Sequence, residues 1–363
     1  MENKPIYVTQ PSLAPLNEYN ELLKEVWASG ILTHNGPKVQ QLEEQLRKKL
    51  NLKNFTLVLN GTIALQMAIK ALEIKGEIIT TPFTWVATVS AIKWEGCTPV
   101  FCDINPETLN IDEEKIEALI TKDTVAIMPV HVFGTACNVD KIEAIAKKHN
   151  LKVIYDAAHA IGTTYKGKSI LEYGDISATS LHATKLFNTG EGGACITNSN
   201  KLNEKLERIR FFGHDTSKEV IEDGFNGKMT EIHASLGLVN LKYFDEVLED
   251  RKTKYLLYKE LLKEVNGVHF QKIVEDETNY SYFPIIFESE EQLLKVEKRL
   301  NEKNVFPRRY FYPSVNTLSE IVNYQSTPIS EDISRRIMCL PLYYKLSKAQ
   351  VKYIANIISK NVC

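Results

Sequence analysis

Short apolar runs alternate with helical patterns over residues 50–210, and this alternation constrains the fold more than any other feature. The apolar runs are FTLVL, EIITT, TPVFCDI, TVAIMPVHV, LKVIYDAA, ISATSLHA and GACITN, and segments such as GTIALQMAIKAL and VDKIEAIAKKH lie between them. Continuously apolar strands that are separated by helices are typical of a mostly parallel sheet with helices on both faces. The pattern therefore predicts an α/β fold built on one large, mostly parallel mixed sheet.

The same pattern divides the chain into three parts. Residues 1–30 have weak periodicity and are predicted to form an N-terminal arm, followed by a large domain over residues 31–245 that begins with a helix at Pro37–Leu50. Residues 246–363 mix strand patterns such as HFQKIV and SYFPIIF with helical ones, which predicts a smaller α+β domain. Residues 211–231 are polar and contain glycine, and a loop of this length inside a domain is usually functional.

Composition excludes several classes of function. The 363 residues carry a net charge of −2, which argues against a broad basic surface for nucleic acid or an anionic membrane but leaves a local basic cluster open. No secretory signal is visible, and no apolar run approaches the roughly 20 residues of a membrane span, which predicts a cytoplasmic protein. The six cysteines form no CxxC pair and have no zinc-like spacing to histidine, so we expect buried thiols and no metal site.

The segment LVLNGTIALQMA places a turn between a predicted strand and a predicted helix. Free backbone N–H groups at the start of a helix suit a phosphate group, Gly61 allows close approach, and Thr62 adds a hydroxyl. Thr62 could equally be a simple helix cap. The chain has neither a P-loop nor a GxGxxG motif, which argues against nucleotide hydrolysis and Rossmann-type hydride transfer.

Two further segments place chemically active side chains at predicted strand ends. In KVIYDAAHA, Asp156 ends an apolar strand and His159 follows it, and ligands bind outside that end of an open parallel sheet. In ATSLHATKLFNTGEGG, Lys185 lies between apolar segments, where loss of solvent would lower its pKa and make it a usable amine nucleophile. Each residue also has a structural alternative. Asp156 could be a helix cap, His159 a buried structural histidine, and Lys185 a lysine on an exposed loop.

Taken together, these three segments match the requirements of pyridoxal phosphate. The helix start would bind the phosphate, Lys185 would attach the cofactor covalently, and Asp156 would keep the ring nitrogen protonated. A protonated ring is the electron sink on which the chemistry of this cofactor depends. The sequence therefore predicts a pyridoxal phosphate enzyme.

The chain also resembles a known family, the DegT/DnrJ/EryC1/StrS nucleotide-sugar aminotransferases, which have the fold-type I, aspartate-aminotransferase-like architecture. The resemblance extends over nearly the whole chain, through NGTIAL, TTPFTWVATVSAI, PVHVFGTACNVD, YDAAHAIG, SLHATKLFNTGEGG and GFNGKMTEIHASLG. It implies a homodimer with shared active sites and a set of cofactor-binding residues, which are Gly61, Thr62, Trp85, Asp156, His159, Ser180, Lys185 and Asn226.

Each of these residues has an implied role. Trp85 stacks on the pyridine ring, His159 lies near the phenolic oxygen, and Ser180 bonds the phosphate. Asn226 reaches the phosphate in the neighbouring subunit. Lys185 is the catalytic residue, and it also favours transamination, because a related sugar 3-dehydratase branch has histidine at that position.

The resemblance also implies the substrates. The expected donor is L-glutamate, and SLHATKLFNTGEGG favours amination at the 4-position of dTDP-4-keto-6-deoxyglucose over the 3-position. In FPRRYFYPSV, Arg308, Tyr310 and Tyr312 lie where relatives place sugar-contacting residues, although a solvated pair of Arg308 and Arg309 beside core tyrosines is an alternative. A lyase or aldolase of the same fold and a non-catalytic regulator are the competing functions.

Overall fold

The computed structural model describes residues 4–274 and 278–362, and its elements are numbered in chain order. The strands are β1 (Ile6–Tyr7), β2 (Phe55–Val58), β3 (Glu77–Thr80), β4 (Thr98–Phe101), β5 (Thr124–Met128), β6 (Lys152–Asp156), β7 (Thr164–Tyr165), β8 (Lys168–Ser169), β9 (Ile176–Ser180), β10 (Gly193–Ile196), β11 (Val268–His269), β12 (Phe283–Phe287), β13 (Val305–Phe306) and β14 (Ile337–Leu340). The helices are α1 (Leu16–Ser29), α2 (Pro37–Lys49), α3 (Gly61–Ala71), α4 (Val86–Trp94), α5 (Glu113–Ile116), α6 (Val139–His149), α7 (Asn200–Ile209), α8 (Glu231–Lys242), α9 (Phe244–Leu262), α10 (Glu290–Asn301), α11 (Pro328–Arg336) and α12 (Lys348–Asn361).

A seven-stranded sheet forms the centre of residues 55–196. Its strand order is β2-β10-β9-β6-β5-β3-β4. Strand β10 is antiparallel to both of its neighbours, and the other neighbouring pairs are parallel. This arrangement confirms the predicted mostly parallel mixed sheet in an α/β fold.

Helices cover both faces of this sheet. Successive side chains of a strand point to opposite faces, and β5 shows the consequence. Ile127 belongs to one buried cluster with Leu42 of α2 and Ile142 of α6. Met128, the next residue, belongs to a second cluster with Met67 of α3. Both faces are therefore apolar, as the continuously apolar strands predicted.

Helix α2 confirms the helix predicted at Pro37–Leu50. Pro37 is well suited to the first position of α2, because its ring presets φ for the helix. An N–H at this position has no acceptor within the helix, so proline loses no hydrogen bond by lacking one. The carboxylate of Glu231 accepts hydrogen bonds from the next two amides, Lys38 N at 2.8 Å and Val39 N at 3.0 Å. Glu231, the first residue of α8, thereby attaches the start of α2 to the segment that follows the polar loop.

Two expectations differ from the structure. The arm over residues 1–30 contains helix α1, which its weak periodicity did not indicate. The strand predicted from HFQKIV is wrong beyond His269, since β11 ends there. Past that point the Gln271 side chain donates to Thr108 O at 2.7 Å and Val132 O at 3.2 Å, so the segment binds a neighbouring loop instead of a strand.

The C-terminal part of the chain has its own sheet and its own buried cluster. Its antiparallel strands have the order β11-β12-β14, and α9, α10 and α12 supply apolar side chains such as Tyr258, Leu293 and Ile354 to the cluster. The predicted division at residue 245 falls within the first turn of α9 and stays a prediction. A bridge between Arg308 and Cys339 of β14 attaches Arg308 to this smaller sheet.

The cysteines that the structure describes confirm the expectation of buried thiols. All five are buried, and Cys363 lies outside the described residues. Searching residues 4–274 and 278–362 finds no helix that combines the length and apolarity needed for a membrane span.

Candidate active site

A cleft of about 430 Å³ opens where β2, β3, β6 and β9 end. Parallel strands present their carboxyl ends at one edge of a sheet, and ligands bind there. Residues of the seven-stranded sheet's region and of the C-terminal part both line the cleft. They are Asn60, Gly61, Thr62, Leu65, Thr84, Trp85, Ala87, Thr88, Val130, Asp156, Ala158, His159, Ser180, His182, Thr184, Lys185, Glu191, Tyr282, Arg308, Tyr310 and Phe311.

The turn after β2 presents the start of α3 to this cleft. Asn60 is the N-cap, because its side chain accepts from Ile63 N at 2.9 Å, so the alternative in which Thr62 caps the helix is wrong. Gly61 and Thr62 are the first two helical residues, whose amides have no acceptor within the helix. A side chain on Gly61 would come within 2.9 Å of Ser180 Cβ, so glycine lets the turn lie against the end of β9.

Asp156 is the last residue of β6 and is buried. Its Oδ2 accepts from Thr88 Oγ1 at 2.7 Å, and its Oδ1 accepts from Ala158 N at 3.1 Å. Burial raises the pKa of the Asp156 carboxyl, and the bonds from Thr88 and Ala158 and the charge of Lys185 oppose that rise. The Asp156 carboxylate therefore caps the short turn at Ala158, not a helix as in the structural alternative. It lies in the wall of the cleft.

Lys185 lies in the turn that joins β9 to β10. Backbone bonds across this turn run from Leu181 N to Gly192 O and from Ala183 N to Gly190 O, both at 2.8 Å. They hold the partly buried lysine at the floor of the cleft. Loss of solvent lowers the pKa of Lys185 to about 8, and the nearby Asp156 opposes this shift. A larger fraction of this amine than of an ordinary lysine is therefore neutral, and thus nucleophilic, near neutral pH.

His159 forms part of the wall beside Lys185. Burial, together with the charge of Lys185, holds the pKa of the imidazole well below its ordinary value, so the ring is neutral. Its Nδ1 is buried and has no hydrogen-bond partner in the described parts of the chain. The ring packs against Tyr282 with centroids 4.6 Å apart, and nearly parallel to Phe311 at 6.0 Å.

Aromatic side chains form the mouth of the cleft. The Trp85 ring is 54% exposed although it stands directly before α4, which leaves one flat apolar surface open to a ligand. The Arg308 guanidinium lies 5.5 Å from the Trp85 ring centroid and 4.8 Å from that of Tyr310. Within the described ranges, Arg308 forms no ion pair with a carboxylate, so its charge is available to a ligand.

The structure brings most of the predicted site residues to one cleft, but not all of them. Asn226 is exposed in the polar loop and does not line the cleft of its own chain. Tyr312 lies outside the cleft, 47% exposed, with the Arg309 guanidinium 3.7 Å from its ring centroid. Arg309 also pairs with Glu290, so the two arginines differ: Arg309 is engaged within the fold, and Arg308 faces the cleft.

Sequence reasoning missed several residues of the site. Thr88, which holds Asp156, lies three residues after Trp85, so helical spacing could have indicated it. Tyr282 is contributed by the apolar segment before β12, and nothing in that segment distinguishes it from a core residue. His182 and Glu191 line the cleft from the lysine turn, with the nearest imidazole nitrogen and carboxylate oxygen 3.6 Å apart.

These residues fit pyridoxal phosphate. The free amides of Gly61 and Thr62 with the Ser180 hydroxyl suit its phosphate, and the open Trp85 ring suits its pyridine. The buried Asp156 and the low-pKa Lys185 supply the carboxylate and the amine that this cofactor requires. In the described residues, no group of three or more His, Cys, Asp or Glu side chains could hold a metal ion.

Comparison with known proteins agrees with this fit. The model of the DegT/DnrJ/EryC1/StrS aminotransferase family matches residues 16–359, and the chain belongs to this family, which is pyridoxal phosphate dependent. A dTDP-4-amino-4,6-dideoxy-D-glucose transaminase of Shigella dysenteriae is 42% identical over 98% of both chains. The predicted family and its aminotransferase activity are therefore confirmed.

Solved structures extend the comparison. The structure of DesI with its TDP-sugar product has a TM-score of 0.93 and 28% identity, and the match covers 99% of this chain and 93% of that one. The structure of NtdA from Bacillus subtilis with bound cofactor PMP has a TM-score of 0.87 and 28% identity, and it covers 95% of this chain and 82% of that one. The predicted fold is therefore confirmed.

The charge environment of Lys185 gives a measurable titration. In protein without cofactor, the amine should titrate near pH 8, well below an ordinary lysine, because desolvation disfavours its charged form. Asp156→Asn should lower the midpoint further, since the carboxylate stabilises the ammonium. The measurement is the ¹³C shift of reductively methylated Lys185 against pH. Asp123→Asn, at an exposed position, is the control and should leave the midpoint unchanged. A midpoint near 10.4 would contradict this environment.

Proposed function

We propose that this chain binds pyridoxal 5'-phosphate and transfers an amino group from L-glutamate to the 4-position of a dTDP-linked 4-keto-6-deoxy sugar. The observation that carries the proposal is the meeting of Asp156, Lys185 and the open Trp85 ring beside the start of α3. A lyase of the same fold would share these residues. Family membership over residues 16–359 favours transamination.

Backbone amides, a hydroxyl and a carboxylate of this chain would hold the cofactor. The amides of Gly61 and Thr62, at the positive end of the α3 dipole, would hold the phosphate with the Ser180 hydroxyl. Asp156, oriented by Thr88, would hold the ring nitrogen. When bound, pyridoxal phosphate supplies an electron sink for negative charge that develops next to the reacting amine.

Lys185 is the proton carrier in this proposal. Because its pKa is lowered to about 8, its amine can accept a proton from the α-carbon of the donor and return one near neutral pH. His159 stays neutral beside it, so it does not add a second positive charge to the cleft. The buried aromatic rings of Tyr310 and Phe311 give the cleft an apolar wall.

One cation at the cleft mouth and the named substrates of the relatives support a sugar nucleotide as the amino acceptor. The Arg308 guanidinium bonds Tyr310 at the cleft mouth but pairs with no carboxylate of the described residues, which suits an anionic group such as a diphosphate. The Shigella dysenteriae relative is named for a dTDP-4-amino-4,6-dideoxy sugar, and DesI was solved with a TDP-sugar product. Tyr310 would contact the sugar beside Arg308, whereas Tyr312 lies outside the cleft and is a weaker candidate.

A homodimer with shared sites completes the proposal. Asn226 is exposed, and a backbone bridge to Phe211 keeps this part of the polar loop extended. Several large apolar side chains near it are also exposed, among them Phe212 at 45% and Val220 at 66%. A second copy that covered them would bring Asn226 to the phosphate of the neighbouring site.

The cofactor link can be located chemically. After addition of pyridoxal phosphate and reduction with borohydride, peptide mass mapping should find the pyridoxyl group on Lys185. Lys185→Ala should still bind the cofactor through the α3 turn but lose transamination by at least about 100-fold, because it lacks the proton carrier. Lys168→Ala, at an exposed lysine of β8, should behave as the wild type. Labelling of a different lysine would exclude this assignment.

Arg308 and Arg309 provide a matched pair of variants. Arg308→Gln should weaken dTDP binding by about 10- to 150-fold, as expected for the loss of a hydrogen bond to a charged group. Arg309→Gln should lower thermal stability through loss of the Glu290 pair while dTDP affinity stays unchanged. Isothermal titration calorimetry measures the affinities. Equal losses of affinity in both variants would contradict a specific role for Arg308.

Subunit exchange tests the role of Asn226. Asn226→Ala should weaken retention of pyridoxal phosphate by about 10- to 150-fold without unfolding the chain. Mixed with Lys185→Ala, it should form heterodimers with one intact site, built from Lys185 of one chain and Asn226 of the other. Activity at limiting cofactor, compared with each variant alone, measures the rescue. If heterodimers seen by mass spectrometry have no added activity, each chain builds its own site.

A further inference from the structure

The backbone carbonyl of His159 is held by side chains from a distant part of the chain. Asn279 Nδ2 donates to His159 O at 2.6 Å and to Ile161 O at 2.9 Å. Ser281 Oγ also donates to His159 O, at 3.3 Å. The turn that carries the imidazole is therefore bound to the segment that leads into β12, more than 100 residues later in the chain.

The Asn279 amide has little freedom to reorient. The side chain is fully buried, and its Oδ1 accepts from Ser281 N at 3.1 Å while its nitrogen serves the two carbonyls. Gly134 packs against it so closely that a side chain there would lie 2.4 Å from Asn279 Oδ1. Rotating the amide would remove the donor to Ile161 O and the shorter of the two bonds to His159 O, and a buried carbonyl is costly to leave unpaired.

The segment is fixed from its other side as well. The buried Arg251 of α9 donates to Ser281 O at 2.9 Å. Tyr282, the next residue, packs against the His159 ring with centroids 4.6 Å apart. The same short segment thus holds His159 at its carbonyl, through Asn279 and Ser281, and at its ring.

This arrangement matters because no hydrogen bond fixes the imidazole at Nδ1. That nitrogen is buried without a partner in the described residues, so it does not orient the ring. The orientation depends on where the backbone of the turn is held and on aromatic packing. A histidine that lines a reaction cleft must present one nitrogen in one direction, and surrounding contacts usually set that direction.

We infer that Asn279 is a positioning residue: it acts through His159, by fixing the turn that aims the imidazole into the cleft beside Lys185. The inference rests on the proposed function for the role of that ring in catalysis, but the geometric part concerns this chain alone. Asn279 itself does not line the cleft, so any effect on the reaction must pass through its neighbours.

A double-mutant cycle with His159 tests this route. In otherwise wild-type protein, Asn279→Ala should lower kcat with little change in KM and should alter the pH dependence of the absorbance of bound pyridoxal phosphate. In a His159→Ala background, the same change should have almost no further effect. The coupling between the two sites should correspond to between about 2- and 150-fold in kcat. Additive losses would overturn the inference.

Asn316 is the control for loss of a buried amide. It is also fully buried, it donates to Gln325 O at 2.8 Å, and it does not line the cleft. Asn316→Ala should lower thermal stability and leave the pH profile and the absorbance unchanged. If Asn316→Ala shifted the spectrum as Asn279→Ala does, general destabilisation would explain both and the inference would fail.

A readout without the cofactor separates this inference from the proposed function. With the full chain carrying ¹³C-labelled histidine, the imidazole resonances of His159 are assigned from their loss in His159→Gln. Asn279→Ala should shift or broaden them, and Asn316→Ala should not. Ser281→Ala, which removes only the longer bond at 3.3 Å, should shift them less and serves if Asn279→Ala does not fold. Unchanged resonances would overturn the inference, whereas wild-type protein that takes up no pyridoxal phosphate would overturn only the proposed function.

Discussion

The site depends on holding an amine and a carboxylate, Lys185 and Asp156, together away from water. Removing either charge from solvent is costly, and their mutual attraction offsets only part of that cost. The fold meets this constraint by placing Asp156 at the end of β6 and Lys185 just past the end of β9, on neighbouring parallel strands. Thr88 and Ala158 then bond the carboxylate, so that it is paired even before a ligand enters.

The sheet and the central residues of the site could be predicted from the sequence because both leave local signals. Continuous apolar strands predict the parallel sheet, and a polar residue that ends such a strand, like Asp156, lies at the edge where ligands bind. The lysine turn could be recognised from its glycines and its apolar flanks. Helix α2 was predicted because its apolar positions recur at helical spacing over a full face.

The parts that could not be predicted depend on contacts between distant segments. Nothing local to Tyr282 or Asn279 indicates that they pack on His159, more than 100 residues earlier. The strand predicted from HFQKIV ends at His269 for a similar reason: the Gln271 side chain donates to Thr108 O and Val132 O, in the region of the larger sheet. The hydroxyl of Thr62 would suit a helix cap, but the Asn60 side chain, two residues earlier, accepts the bond from Ile63 N.

The bridge between Arg308 and Cys339 attaches Arg308 to the smaller sheet, whereas Lys185, Asp156 and the α3 turn belong to the region of the larger sheet. In the proposed function, the residues of the reaction and the residue that would bind the anionic ligand therefore lie in separate stretches of the chain. We expect substitutions within a few codons around Arg308 to change which anion fits without disturbing Lys185. We expect such a layout to let a lineage acquire new substrates in small steps while each intermediate keeps a working catalyst.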